Sequence, residues 1–236
     1  MHVTPTSTNN DQVVVLLLAD IKHAARLWGW SRIVKGPQSL QGTPGLLFSK
    51  VLGSGYEGGF GLRPSPSRQG VFGLFESMQT AQAFIDQSSV IEAYQERSNE
   101  LCWVILKTWS CRGSWDGQSL DVCAAQPIKG PVAALTRASI KLAKAPAFWR
   151  HAPPSQNALA EAKGCQLAVG LGEAPFVRQA TFSIWDSVTD MNAYARSGSH
   201  LEAIQAAAEN DYFSESMFAR FVPMKVQGQW QGKVYA

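Results

Sequence analysis

Two apolar runs of strand length, Val13–Ala19 and Val132–Ala138, open two stretches of chain written in the same order of elements. A helical stretch follows each run. A second strand candidate comes next (Leu46–Leu52; Gln166–Leu171), then a third that alternates faces (Val71–Phe75; Ala180–Trp185). A longer amphipathic helical region and a last strand (Leu101–Trp109; Met217–Met224) complete each stretch. The order β-α-β-β-α-β is that of a ferredoxin-like unit. One such sheet carries helices on one face and needs a partner for the other. The pattern therefore predicts an α+β fold: two tandem ferredoxin-like halves, residues 13–117 and 131–236, packed sheet to sheet as a pseudo-twofold barrel. Gln118–Pro131, with Pro127, Gly130 and Pro131 as breakers, reads as the link.

The halves also match residue by residue, in preserved order. At a shift of 119, Leu16 meets Leu135, Ile21-Lys22 meets Ile140-Lys141, and Trp30 meets Trp149. At 110, Phe75-Glu76-Ser77 meets Trp185-Asp186-Ser187 and Phe84 meets Tyr194. At 115, the Gly113–Gly117 turn around Trp115 meets the Gly228–Gly232 turn around Trp230. A Gly-rich stretch, Gly53–Gly70, has no long counterpart in the second half. It reads as a surface loop or a mobile lid, with no phosphate-binding pattern in it.

Composition narrows the function. The 236 residues are 45% hydrophobic and 17% charged, enough for a sizeable core. The net charge of +3 is scattered, so no nucleic-acid surface is indicated. The longest apolar run is too short to span a membrane. The polar first twelve residues do not read as a signal peptide. Four widely spaced cysteines read as reduced thiols and point to a cytoplasmic protein. The zinc-protease HExxH and the GxSxG elbow are absent.

One position breaks the repeat with chemistry. Ser89-Val-Ile-Glu92 and Ser199-His-Leu-Glu202 both read as capping boxes, with Ser89 and Ser199 as N-caps. Val90 in the first copy becomes His200 in the second. The partial positive charge of a helix N-terminus keeps an imidazole neutral, as metal ligation requires. Ile204 falls one turn later on the same side. A polar residue on an exposed helix start is the plainer alternative. Arg137 and Arg178 interrupt apolar strand segments, and a buried Arg needs an anionic partner. A structural carboxylate or a cofactor propionate would serve equally.

Several stretches resemble the spheroidene monooxygenase family, the carotenoid 2-ketolases of purple photosynthetic bacteria. They are Lys50–Gly55, Gly113–Gly117, Ala133–Ala138, Ala147–Arg150, Val177–Trp185, Ala195–His200 and Met217–Phe221. The resemblance implies a haem (iron) enzyme that uses dioxygen and reduced ferredoxin to oxidise an acyclic carotenoid at C2. It also implies a fused form of the dimeric α+β barrel of antibiotic-synthesis monooxygenases and haem-degrading enzymes. In some of the latter the iron ligand falls at the position of Ile204. His200 is then the expected metal ligand, with Arg178, Arg137, Tyr194, Trp185 and Ile204 around the cofactor and Phe176 and Phe60 as further pocket candidates. A lipid-soluble substrate implies peripheral contact with the inner membrane. A cofactor-free monooxygenase of the same fold, or a non-catalytic barrel that binds haem or lipid, are the alternatives.

Overall fold

The computed structural model describes residues 11–59, 63–149, 159, 162–174, 176–196, 198, 206 and 209–236. Among these the strands are β1 (Val13–Ile21), β2 (Leu46–Gly55), β3 (Pro64–Phe75), β4 (Ser98–Gly113), β5 (Val132–Ile140), β6 (Cys165–Ala174), β7 (Arg178–Trp185), β8 (Phe213–Trp230) and β9 (Lys233–Tyr235). The helices are α1 (Arg26–Lys35), α2 (Met78–Gln87), α3 (Ser89–Arg97) and α4 (Val188–Ala195). The first eight strands form a closed antiparallel barrel in the order β4-β1-β3-β2-β6-β7-β5-β8, with β8 returning to β4. Closure gives each of these eight strands a neighbour on both sides. One seam is long, from Cys102↔Gly228 to Gly113↔Met217. The other is brief, Gly53↔Gly172 and Ser54↔Leu171.

Side-chain alternation divides the core into an inside and an outside. Val14, Leu16 and Leu18 of β1, Ala133 and Leu135 of β5, and inward residues of the six other barrel strands form one buried cluster that fills the interior. The intervening β1 residues, Val13, Val15, Leu17 and Ala19, point outward. With Val51, Val71 and Phe75 they meet Phe84, Ile85, Ile91 and Tyr94 of α2 and α3. β1 is apolar at nearly every position because both of its faces are buried.

The two halves of the chain use the same register. Val13 faces Phe75 across β1–β3, and Val132 faces Trp185 across β5–β7. Ser77 caps α2 by accepting the Thr80 N–H, and Ser187 caps α4 by accepting the Asp190 N–H. Trp115 follows β4, Trp230 ends β8, and both are fully buried in the interior cluster. β4 and β8 run antiparallel, so the two indoles plug opposite ends of the barrel. Each turn is held by a carboxylate from another strand. Glu215 accepts the Gly117 N–H (2.9 Å), and Glu100 accepts the Gln231 and Gly232 N–H groups (2.8 and 2.7 Å). Gly113 (φ +86°) and Gly228 (φ +111°) let the chain leave each strand there. A Cβ would overlap the carbonyl oxygen of Ser216 in one case and of Leu101 in the other.

Two local expectations change. Gly53–Gly70 is not one long loop: β2 runs to Gly55 and β3 begins at Pro64. Cross-strand pairing extends these arms although their composition favours turns. Ser88, not Ser89, is the N-cap of α3 and accepts the Ile91 N–H at 3.2 Å. Ser88 is extended and takes the cap, leaving Ser89 as the first helical residue. The corresponding Ser199 and His200 lie outside the described residues.

Candidate functional site

The outer faces of the two halves differ in bulk. Val15, Leu17, Val51 and Val71 in the first half are all fully buried beneath its helices. Their counterparts in the second are Ala134, Thr136, Gly170 and Thr181. The paired registers match, with Val51 facing Val71 on β2–β3 and Gly170 facing Thr181 on β6–β7. Four aliphatic side chains on one outer wall thus become small ones on the other. Ala134, Thr136 and Thr181 remain half-buried.

Larger groups border this shallow wall. Trp185 is buried, donates its indole N–H to the Ser183 hydroxyl (2.9 Å), and packs on Tyr194 with ring centroids 5.3 Å apart. Burial pushes the Tyr194 phenol up to about 12, so it stays protonated. Trp109 comes from the first half. It sits at a bulge in β4, where Thr108 pairs with Phe221 and Ser110 with Arg220. Its indole, on the outward side like Trp103 and Ile105, joins Val132, Trp185, Leu159 and Met191 in one buried cluster. Its Nε1 is buried and has no hydrogen-bond partner among the described residues. Arg220 lies over the same ring, 5.5 Å from its centroid. Arg220 occupies the counterpart position of Ile105, is half-buried, and has no carboxylate partner among the described residues.

The remaining sequence candidates sit elsewhere. Arg137 shares the inward parity of Leu135, so the sheet separates it from Trp185 and Tyr194. It is 1% exposed and ion-pairs with Glu215, with Asp116 at 3.5 Å and with Glu173 at 3.6 Å. Its anionic partners are protein carboxylates. Lys50, also buried, pairs with Asp116 and with Glu173 (2.9 Å), and Glu173 accepts the Trp115 indole N–H at 2.7 Å. This network locks one barrel plug in place. Arg178 lies on its rim, half-exposed, 3.8 Å from Glu173. Phe176 is exposed, while His200, Ile204 and Phe60 lie outside the described residues. Sequence reading missed Trp109 and Arg220. The shift of 115 that aligns the Trp115 and Trp230 turns also places Arg220 opposite Ile105, and that was the available signal.

Glu215 makes the rim network pH-dependent. Desolvation raises its pKa, but the Gly117 N–H, the Ser114 hydroxyl, the Asp116 N–H and Arg137 together outweigh it and bring the value from 4.5 to about 2. A carboxylate with a depressed folded pKa contributes stability above its unfolded value and loses it as pH falls. Glu215→Gln is therefore expected to lower the urea midpoint most above pH ~4.5. The difference from the parent protein should shrink as pH falls towards 2. A gap that is constant with pH would assign the effect to geometry alone.

Among the described residues no group of three or more His, Cys, Asp or Glu could hold a metal ion, and no helix is long and apolar enough to cross a membrane. The four cysteines are free, and burial raises the thiols of Cys102 and Cys165 to about 12 and about 11.

No protein-family model matches the chain. A spheroidene monooxygenase of Rubrivivax gelatinosus is 56% identical over 231 residues, covering 98% of this chain and 90% of that protein. The chain belongs to the spheroidene monooxygenase family. A second member, from Rhodobacter capsulatus, is 34% identical over 87% of each chain. Membership makes the protein an enzyme, a monooxygenase. Among solved structures, a complex of aldoxime dehydratase with butyraldoxime aligns with 92% of this chain and 81% of its own, at a TM-score of 0.60 and 10% identity. At that identity the likeness extends to the barrel fold and no further. Trp185 and Tyr194, pocket candidates by sequence, pack against each other on the outer face of the second half.

Proposed function

We propose that this member of the spheroidene monooxygenase family is a haem-dependent enzyme that oxidises an acyclic carotenoid at C2, with its cofactor on the outer wall of the second half. The observation that carries the reading is the replacement of four aliphatic side chains by small ones on that wall, beside a buried indole N–H and an arginine that have no hydrogen-bond or carboxylate partner among the described residues. A flat, largely apolar group with carboxylates needs such a surface. The curated relatives carry the name spheroidene monooxygenase, which supports the carotenoid. The strand orders β4-β1-β3-β2 and β8-β5-β7-β6 support two ferredoxin-like halves, residues 13–117 and 131–236, of which the second bears the site.

The residues present fit haem in the following way. Trp109 Nε1–H and Arg220 would receive its carboxylates, an arginine being suited to bidentate carboxylate recognition. Trp185 and Tyr194 would form an aromatic border, and Ala134, Thr136, Gly170 and Thr181 would give the ring its floor. His200, which replaces Val90 in the repeat, would supply the neutral imidazole for iron; Ile204 would lie beside it. Bound haem supplies the activation of dioxygen. Each hydroxylation would place one oxygen atom in a C–H bond and release the other as water, with two electrons from a ferredoxin-type donor. Two hydroxylations at C2 followed by loss of water give the ketone. The aromatic border would exclude bulk water from the reacting end of the carotenoid.

The test is reconstitution of the purified chain with haem, followed by absorption spectroscopy and conversion of spheroidene with a ferredoxin donor system. A Soret band and ketone formation are expected. His200→Ala should lose the band while keeping the parent melting temperature. Oxidation of carotenoid by a colourless, iron-free protein would overturn the haem assignment. An unchanged spectrum in His200→Ala would move the ligand to another residue.

A further inference from the structure

We infer that α1 docks the protein onto an anionic lipid bilayer through Leu27, Trp30 and Val34. These residues fall at i, i+3 and i+7, one face of a helix. They are 87%, 41% and 85% exposed. The opposite face holds the helix to the barrel, with Gly29 buried against Ile21 and Gln69, and Ile33 against Gly53. The apolar stripe therefore contributes nothing to the described core, and it faces away from the contacts that hold the helix to the sheet. An exposed apolar stripe with a tryptophan in it suits insertion into the headgroup boundary.

Charge selects the kind of surface. The chain from Ile21 to Tyr56 contains Lys22, Arg26, Arg32, Lys35 and Lys50 and no Asp or Glu. Lys50 belongs to the rim network and Arg32 donates to the Ser39 carbonyl. Lys35 is exposed and Arg26 is half-exposed; by helical spacing they flank the stripe on either side. Lys22 is exposed and donates to the Glu96 backbone carbonyl, while the Glu96 carboxylate is engaged by Arg97 at 2.7 Å. Basic residues beside an amphipathic helix add attraction to anionic lipid, about fivefold in partition for each one near the surface. The surface is distinct from the outer wall of the second half and does not depend on what binds there.

The test is co-sedimentation of the full chain with carotenoid-free vesicles, made either of phosphatidylcholine alone or of equal parts phosphatidylcholine and phosphatidylglycerol. Binding to the anionic vesicles, weakened by salt, is expected. Leu27→Ser, Trp30→Ser and Val34→Ser combined should remove it. Arg26→Gln with Lys35→Gln should weaken it by more than tenfold. All five positions lie on the helix surface, so circular dichroism should show an unchanged fold. Equal binding by the triple variant, or no binding by the parent protein, would overturn the inference. So would a concentration-dependent dimer that the triple variant abolishes without any vesicle binding, since the stripe would then serve a second copy of the chain. The vesicles contain no carotenoid, so none of these outcomes bears on the substrate.

Discussion

With haem on the outer wall of the second half, as proposed, giving that half the outer wall of the first is expected to weaken haem binding strongly without unfolding the protein. The combined variant is Ala134→Val, Thr136→Leu, Gly170→Val and Thr181→Val, the residues found at Val15, Leu17, Val51 and Val71. The first half shows that this register accepts those side chains beneath helices. In strands, β-branched residues are favoured, so the ligand-free variant should melt no lower than the parent. A ligand seated on the same wall would meet added methyl groups. Overpacking of about 3 kcal/mol or more corresponds to a loss in haem affinity of roughly a hundredfold or greater. Titration with haem, followed at the Soret band, measures this directly. Arg220→Leu should weaken binding less, and selectively for haem over its dimethyl ester, because only the free carboxylates use the guanidinium. A filled wall that binds haem as the parent does would place the cofactor elsewhere.

The largest effect on stability is expected at the plugs. Trp115 and Trp230 are essentially inaccessible and each closes one end of the barrel. Replacing either by Ala should cost about 3–5 kcal/mol, the range for a buried aromatic removed from a packed core. That is a large share of a typical domain's ~5–15 kcal/mol. The Trp115 variant should suffer more. Its indole donates to Glu173, which also accepts from Lys50 and faces Arg137, so deletion leaves a half-buried carboxylate short of a partner. Trp230 has no partner for its Nε1 among the described residues, so Trp230→Phe should be mild. Equilibrium urea unfolding measures both. Equal losses for Trp115→Phe and Trp230→Phe would show that the Glu173 bond contributes little.

Most of the strand framework is written along the chain. Barrel strands buried on both faces read as continuous apolar runs, and Val13–Ala19 and Val132–Ala138 are found within β1 and β5, which start at the same residues and run on to Ile21 and Ile140. The matching of Phe75 with Trp185 reappears as equal register on Val13 and Val132. The strand ends were less legible. Pro64–Gln69 and Lys225–Gln229 are polar and turn-rich, and they are strands because neighbouring strands offer them hydrogen-bond partners. Local composition carries no record of such a partner.

For the candidate site, two of its aromatics were readable and sidedness was not. Trp185 and Tyr194 stand out as aromatics at repeated positions, and they do meet. Arg137 stands out just as clearly, yet it faces the interior and is neutralised by carboxylates from Glu215, Glu173 and Asp116. Period-two alternation tells which residues share a face of a strand; in a closed barrel it does not tell which face is inside. Trp109 reads as one more residue of a last strand, and only the pairing of β4 with β8 brings it into a cluster with Trp185 and Met191 of the second half. Arg220 lies within the predicted last strand Met217–Met224, and only the tertiary structure sets it over that indole. The order of elements, the repeat and the family likeness are properties of the chain. The thinned wall and the donors beside it depend on which strands close the barrel, because burial and partnership are set by neighbours distant in sequence.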